Sequence, residues 1–115
     1  MAEGAMQDLG DDKSLLILDD DEPFLRRLAR AMEKRGFEPE LAQSVAAGQA
    51  IATARPPAYA VIDLRLEDGT GLDVVETIRE KRPEARVVVL TGYGAIATAV
   101  AAVKIGATDY LSKPA

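Results

Sequence analysis

Three short runs of the chain are apolar without interruption: "LLIL" at 15–18, "YAVID" at 59–63 up to its final Asp, and "RVVVL" at 86–90 after its Arg. Rich in Val, Ile and Leu and too short for helices, they predict parallel strands covered on both faces. "FEPELA" (37–42) and "DYLS" (109–112) are weaker strand candidates. Between the runs the period changes to that of a helix. Leu25, Leu28, Ala29 and Met32 fall on one helical face, with Pro23 suited to the first turn and Gly36 to the stop. Ser44 suits the cap of a second helix reaching about Ala54, which "RPP" closes. Leu72, Val75 and Ile78 mark a third helix that ends before Pro83, and Ala95 to Ile105 a fourth that Gly106 stops. Strand and helix alternate as βαβαβαβαβ, five strands and four helices, which predicts an α/β fold with an open, doubly wound parallel sheet.

In such sheets ligands bind beyond the carboxyl ends of the strands, which makes the residues at those ends informative. The first strand runs into Asp19 and Asp20, the third into Asp63, the fourth into Thr91, and the fifth into Ser112 and Lys113 before Pro114. A right-handed crossover with a reversal after the second strand puts strands one and three side by side, so Asp19, Asp20 and Asp63 should share a pocket. Asp21 and Glu22 read instead as capping and dipole-compensating residues of the first helix. Glu67, Asp68 and Gly69 read as a turn.

Composition narrows the chemistry. The 115 residues suffice for one domain, with no repeat or low-complexity linker. There is neither Cys nor His, which removes disulfides, thiolate metal sites and the commonest general base. Fourteen Lys and Arg against nineteen Asp and Glu give a net charge of -5, unsuited to gripping nucleic acid directly. "MAEGAMQDLGDDK" (1–13) is polar and acidic, unlike a signal peptide, and no apolar run is long enough to span a bilayer. The expectation is a soluble cytoplasmic protein with a flexible tail over residues 1–13. Packed carboxylates without histidine or thiolate suit a hard cation, Mg2+ or Mn2+ rather than Zn2+. Asp20 and Asp63 are the expected direct ligands and Asp19 a ligand through water. One carboxylate could then act as nucleophile toward a phosphoryl group, with Thr91 and Lys113 as donors to its oxygens.

Four motifs stand in order from Ser14 to the last residue: "LILDDDEP", "VIDLRLEDGTGLDVV", "VVVLTGYG" and "GATDYLSKP". In them the chain resembles the receiver domain of two-component response regulators, most closely the redox-responsive RegA/PrrA/ActR group. The resemblance implies a flavodoxin-like sheet of strand order 2-1-3-4-5, with the receiver over 14–115 stopping before its fifth helix. It implies that Asp63 accepts phosphate from a sensor histidine kinase, that Lys113 pairs with the phosphoryl group, and that Thr91 and Tyr110 form the switch. Mg2+ would be held by Asp19, Asp20, Asp63 and the Arg65 carbonyl. Arg65 and Tyr93 would tune water access, and the Lys113–Pro114 bond would be cis. Such a domain is no turnover enzyme but loses its phosphate slowly by itself. DNA would be contacted only through a C-terminal domain outside this chain, and an uncovered sheet face could draw the chain into a homodimer or exchanged oligomer.

Blander readings stand beside these. Asp63, Thr91 and Lys113 could each be an ordinary strand end, and Tyr110 a half-buried edge aromatic. One rival function is a phosphatase of the haloacid dehalogenase type, for which Asp19 and Asp21 would form the paired carboxylates. That reading leaves Asp63 unexplained and meets Pro23 where a Thr or Val is wanted. The other rival is a receiver-like binding module that works without phosphate.

Overall fold

The computed structural model of the chain describes residues 10–92 and 96–112. Five strands, β1 (Ser14–Leu18), β2 (Glu38–Ala42), β3 (Tyr59–Asp63), β4 (Arg86–Thr91) and β5 (Asp109–Ser112), alternate with four helices, α1 (Glu22–Lys34), α2 (Val45–Ala54), α3 (Leu72–Lys81) and α4 (Ile96–Lys104). All five strands are parallel neighbours in one sheet of order β2-β1-β3-β4-β5. The expected architecture is therefore the observed one. Among the described residues, no helix is long and apolar enough to cross a membrane.

The apolar runs are continuous because the central strands feed two cores. Leu15 and Ile17 pack with Leu25 and Ala29 of α1 on one side of the sheet. Leu16 and Leu18 turn the other way, into a larger core with Ile62, Val87, Val89 and side chains of α2, α3 and α4. The four apolar residues of β1, Leu15 to Leu18, are at most 2% exposed. At roughly 25 cal/mol per Å2 of apolar surface removed from water, a strand with no wet face is favoured wherever helices cover both sides. On the α1 side the cover thins toward β5, where Leu111 is 58% exposed.

The helix ends follow from single residues. Asp21 caps α1 by accepting from the Phe24 N–H at 3.2 Å, and Glu22 of the first turn pairs with Arg26. Ser44 Oγ accepts from the Ala47 N–H at 3.1 Å and starts α2 where expected. Gly36 follows α1 at φ +93, a left-handed conformation that costs glycine nothing. One feature was not expected: a two-stranded antiparallel ribbon, Arg65–Leu66 against Gly69–Thr70, placed between β3 and α3. Of the expected turn, Glu67 and Asp68 form its tip, and Gly69 opens the second strand.

Candidate functional site

The chain steps outward from β1 to β2 and then returns across β1 to β3, so β1 and β3 are neighbours with their carboxyl ends at the reversal. Their register pairs Leu18 with Ile62. The next residue on each strand is an aspartate. Asp19 is fully buried and Asp63 is 5% exposed, while Asp20 lies at the surface. Carboxylate oxygens of Asp19, Asp20 and Asp63 all lie within 4.8 Å of one another.

Local hydrogen bonds explain how four successive acids divide their work. The Asp19 N–H donates to the Ala42 carbonyl at 3.0 Å, extending the pairing of β1 with β2 by one residue. Asp19 Oδ1 in turn accepts from the Asp21 N–H at 2.9 Å, a turn that leads the chain into α1. Asp21 is then committed to capping and Glu22 stands in the first turn of α1, as the sequence suggested, with Arg26 as its partner. A phosphatase built on Asp19 and Asp21 would need the Asp21 carboxylate in the pocket, whereas here it is bound to a helix N-terminus.

Two ionised carboxylates no more than 4.8 Å apart would repel by roughly 3 kcal/mol or more at an effective dielectric constant of 20. An oxygen-only donor set from two strands, open to solvent through Asp20, fits a hard divalent cation that completes its shell with water and phosphate oxygens. Thr91 ends β4 on the same edge. It is fully buried, and its Oγ1 has no hydrogen-bond partner among the described residues. An unpaired buried hydroxyl costs about 1–3 kcal/mol, which an acceptor oxygen arriving at the site would offset. Tyr110 of β5 is half-buried against the larger core. Lys113, Pro114 and Tyr93 lie outside the described residues.

The segment after Asp63 is fixed at several points. Leu64 is buried and its N–H donates to Leu90 O at 3.2 Å, carrying the β3–β4 pairing past the aspartate. Arg65, exposed, has its N–H 3.3 Å from Asp63 Oδ1. Gly71 donates to Leu64 O at 3.1 Å and starts α3 so close to the strand that a Cβ there would lie 2.2 Å from Asp63 O. At the ribbon tip, the Asp68 carboxylate accepts from the Val45 N–H at 2.9 Å and the Ala46 N–H at 3.2 Å. These donors, Val45 first, hold the Asp68 carboxyl below the usual carboxylate range. Reading Asp68 as a turn former missed this contact. The available signal was that α2 has no acidic residue in its own first turn.

A family model described as "Response regulator receiver domain" matches residues 15–115. The chain is 84% identical over 108 residues to the photosynthetic apparatus regulatory protein RegA of Rhodovulum sulfidophilum, covering 94% of this chain and 59% of that protein. It is 69% identical over 107 residues to the acid tolerance regulatory protein ActR of Rhizobium meliloti, covering 93% of this chain and 55% of that one. The chain thus spans a little over half the length of these curated relatives. A crystal structure of a response regulator from Burkholderia pseudomallei, with a phosphorylated aspartic acid, a calcium ion and citrate, is similar at a TM-score of 0.83 and 42% identity. That likeness covers 90% of this chain and 61% of the other. With its motifs, sheet order and acidic edge in agreement with that match, the chain belongs to the response regulator receiver domain family.

Proposed function

We propose that Asp63 is the phosphoacceptor of this receiver and that the acidic edge binds Mg2+ for the transfer. The observation that carries this reading is the cluster of Asp19, Asp20 and Asp63 at one strand edge, with the buried hydroxyl of Thr91, which has no partner among the described residues. A carboxylate oxygen of Asp63 attacks the phosphorus of a phosphohistidine on a sensor histidine kinase. The P–N bond breaks, its electron pair returns to the imidazole, and an aspartyl phosphate forms. Thr91 Oγ1 donates to a phosphoryl oxygen and Lys113 pairs with another, both roles resting on the family resemblance. Asp20 and Asp63 hold Mg2+ directly, Asp19 through water, and the Arg65 carbonyl is the third protein ligand. Bound there, the cation supplies charge neutralisation for the carboxylates and for the phosphoryl oxygens. The calcium ion and phosphorylated aspartate of the Burkholderia protein support both halves of the reading.

Thr91 and Tyr110 are the proposed switch pair, passing the state of Asp63 to the rest of a longer regulator. The names of the relatives, one regulating a photosynthetic apparatus and the other acid tolerance, support a regulatory output. We place that output in DNA binding by a separate domain and in a redox-responsive transcription system in the cytoplasm. Leu111, 58% exposed on the α1 side of the sheet, and Val100 and Val103 of α4, 42% and 39% exposed, support self-association as a further step.

Acetyl phosphate with Mg2+ tests the assignment. Mass spectrometry should find one phosphate on Asp63 and none in Asp63→Asn. Stable phosphate on Asp19 or Asp20 of the wild type would overturn the assignment, and turnover of a phosphomonoester would favour the phosphatase.

A further inference from the structure

Asp68 stands five residues past Asp63 and outside the acidic cluster, so the acceptor chemistry leaves it without a role. Its two carboxylate oxygens nevertheless take separate partners, the N–H groups of Val45 and Ala46, across 23 and 22 positions of sequence. The first N–H groups of a helix have no partner within the helix and carry the positive end of its dipole. In α2, Ser44 satisfies that of Ala47, and no acid occupies the first turn. The cap for the other two comes from the hairpin that follows Asp63.

That hairpin is rooted at the acceptor. Arg65 N–H approaches Asp63 Oδ1, and Gly71 N–H bonds to Leu64 O, closing the ribbon at its base. Its strands are two residues each, with Arg65 opposite Thr70 and Leu66 opposite Gly69. A two-stranded hairpin of this length does not hold its own register in water. Leu66 packs on the larger core, and the tip is held by Asp68 alone among the hydrogen-bonding side chains described.

We propose that Asp68 is a positioning residue of the phosphoacceptor site, tying the hairpin that carries the Arg65 carbonyl to the N-terminus of α2. The hairpin then has one end on the acceptor and the other on a helix, and a change of charge at the acceptor is felt at Val45 and Ala46. The alternative is a cap that serves α2 alone, whose loss would cost stability and leave the acceptor site as it was. The inference rests on Asp63 and the Mg2+ site as read above.

The two roles separate in a comparison of Asp68→Ala, Asp68→Asn and Ser44→Ala in the full chain. Ser44→Ala removes the other cap from the same helix end without touching the hairpin. In metal-free protein, the amide signals of Val45 and Ala46 should lose hydrogen-exchange protection in Asp68→Ala, and those of Arg65, Leu66 and Thr70 should shift with them. Mg2+, titrated by the same signals, should bind about tenfold more weakly, as found when groups that orient metal ligands are removed. Asp68→Asn, with one acceptor oxygen in place of two, should fall between, and it serves alone if Asp68→Ala does not fold. Ser44→Ala should expose the Ala47 amide and bind Mg2+ as the wild type does. Wild-type Mg2+ affinity in both Asp68 variants would overturn the positioning role, as would an equal loss in Ser44→Ala. In either case phosphorylation of the wild type on Asp63 would leave the acceptor assignment standing, whereas wild-type phosphate on another residue would remove both.

Discussion

Replacing Gly71 by Ala probes how tightly α3 is seated against the acceptor strand. Gly71 has φ -64 and ψ -11, ordinary right-handed values that alanine adopts freely, so any penalty is steric and not conformational. The added Cβ would lie 2.2 Å from Asp63 O and 2.6 Å from Ile62 Cγ2. Real Cβ atoms essentially never approach other atoms within 3.0 Å, so the start of α3 must retreat from β3 by about 0.8 Å. Ile62 is fully buried and can yield only by disturbing the larger core, while the Asp63 carbonyl is main chain. Overpacking of this kind costs about 1–3 kcal/mol. In a chain of this size that lowers Tm by roughly 4–8 °C per kcal/mol. The displacement falls on the residue proposed to take the phosphate, and misplacing a reacting group by ~1 Å can slow a reaction by about 100-fold. Thermal melts followed by circular dichroism and the rate of acetyl phosphate labelling are the assays. Gly92→Ala is the control, because a Cβ there meets nothing within 4 Å among the described residues. A Gly71→Ala protein that melts and labels like that control would refute the claim that close packing of α3 on Asp63 positions the acceptor.

Two more changes test other parts of the molecule. Asp12 accepts from the Ser14 N–H at 2.9 Å and meets Arg82 at 2.8 Å, and these contacts, Ser14 first, hold its carboxyl below the usual carboxylate range. A depressed folded pKa contributes stability that is present above the unfolded value, about 4, and lost as the pH falls through the folded one. Asp12→Asn should therefore flatten the fall of Tm below about pH 4, and parallel Tm profiles for the two proteins would remove Asp12 from the acid response. Tyr93→Ala should shorten the lifetime of the aspartyl phosphate by opening it to water; an unchanged or longer lifetime, followed by mass spectrometry after removal of acetyl phosphate, would count against shielding by the phenol.

Much of the fold was legible because the signals that carry it are local. Leu15 to Leu18 form a run, not an alternation, since odd and even positions enter different cores, and that doubling announces a strand covered on both faces. Ser44, Pro23 and Gly36 mark helix ends through their own backbone or side-chain preferences, and each marks an end in the structure. The ribbon of Arg65–Leu66 and Gly69–Thr70 escaped because two-residue strands have no period to read. Its turn residues were recognised, but not the object they face. What Asp68 does is decided by a helix end 23 positions away, and nothing in its immediate neighbours encodes that distance.

The acidic edge shows the same division at finer scale. That Asp19 and Asp63 meet follows from the alternation of elements, because the register pairing Leu18 with Ile62 brings the next residues of both strands together. Asp20 was expected as a direct ligand and Asp19 as one through water, but which of these two neighbouring aspartates is buried could not be read from the sequence. The structure separates them: Asp19 accepts from the Asp21 N–H and is fully buried, and Asp20 is left at the mouth of the cluster. A buried carboxylate held by the backbone keeps its place when a cation arrives or leaves, while an exposed one can move to meet it. Under the proposed Mg2+ binding, Asp19 would be the carboxylate held in place and Asp20 the one able to move onto the ion.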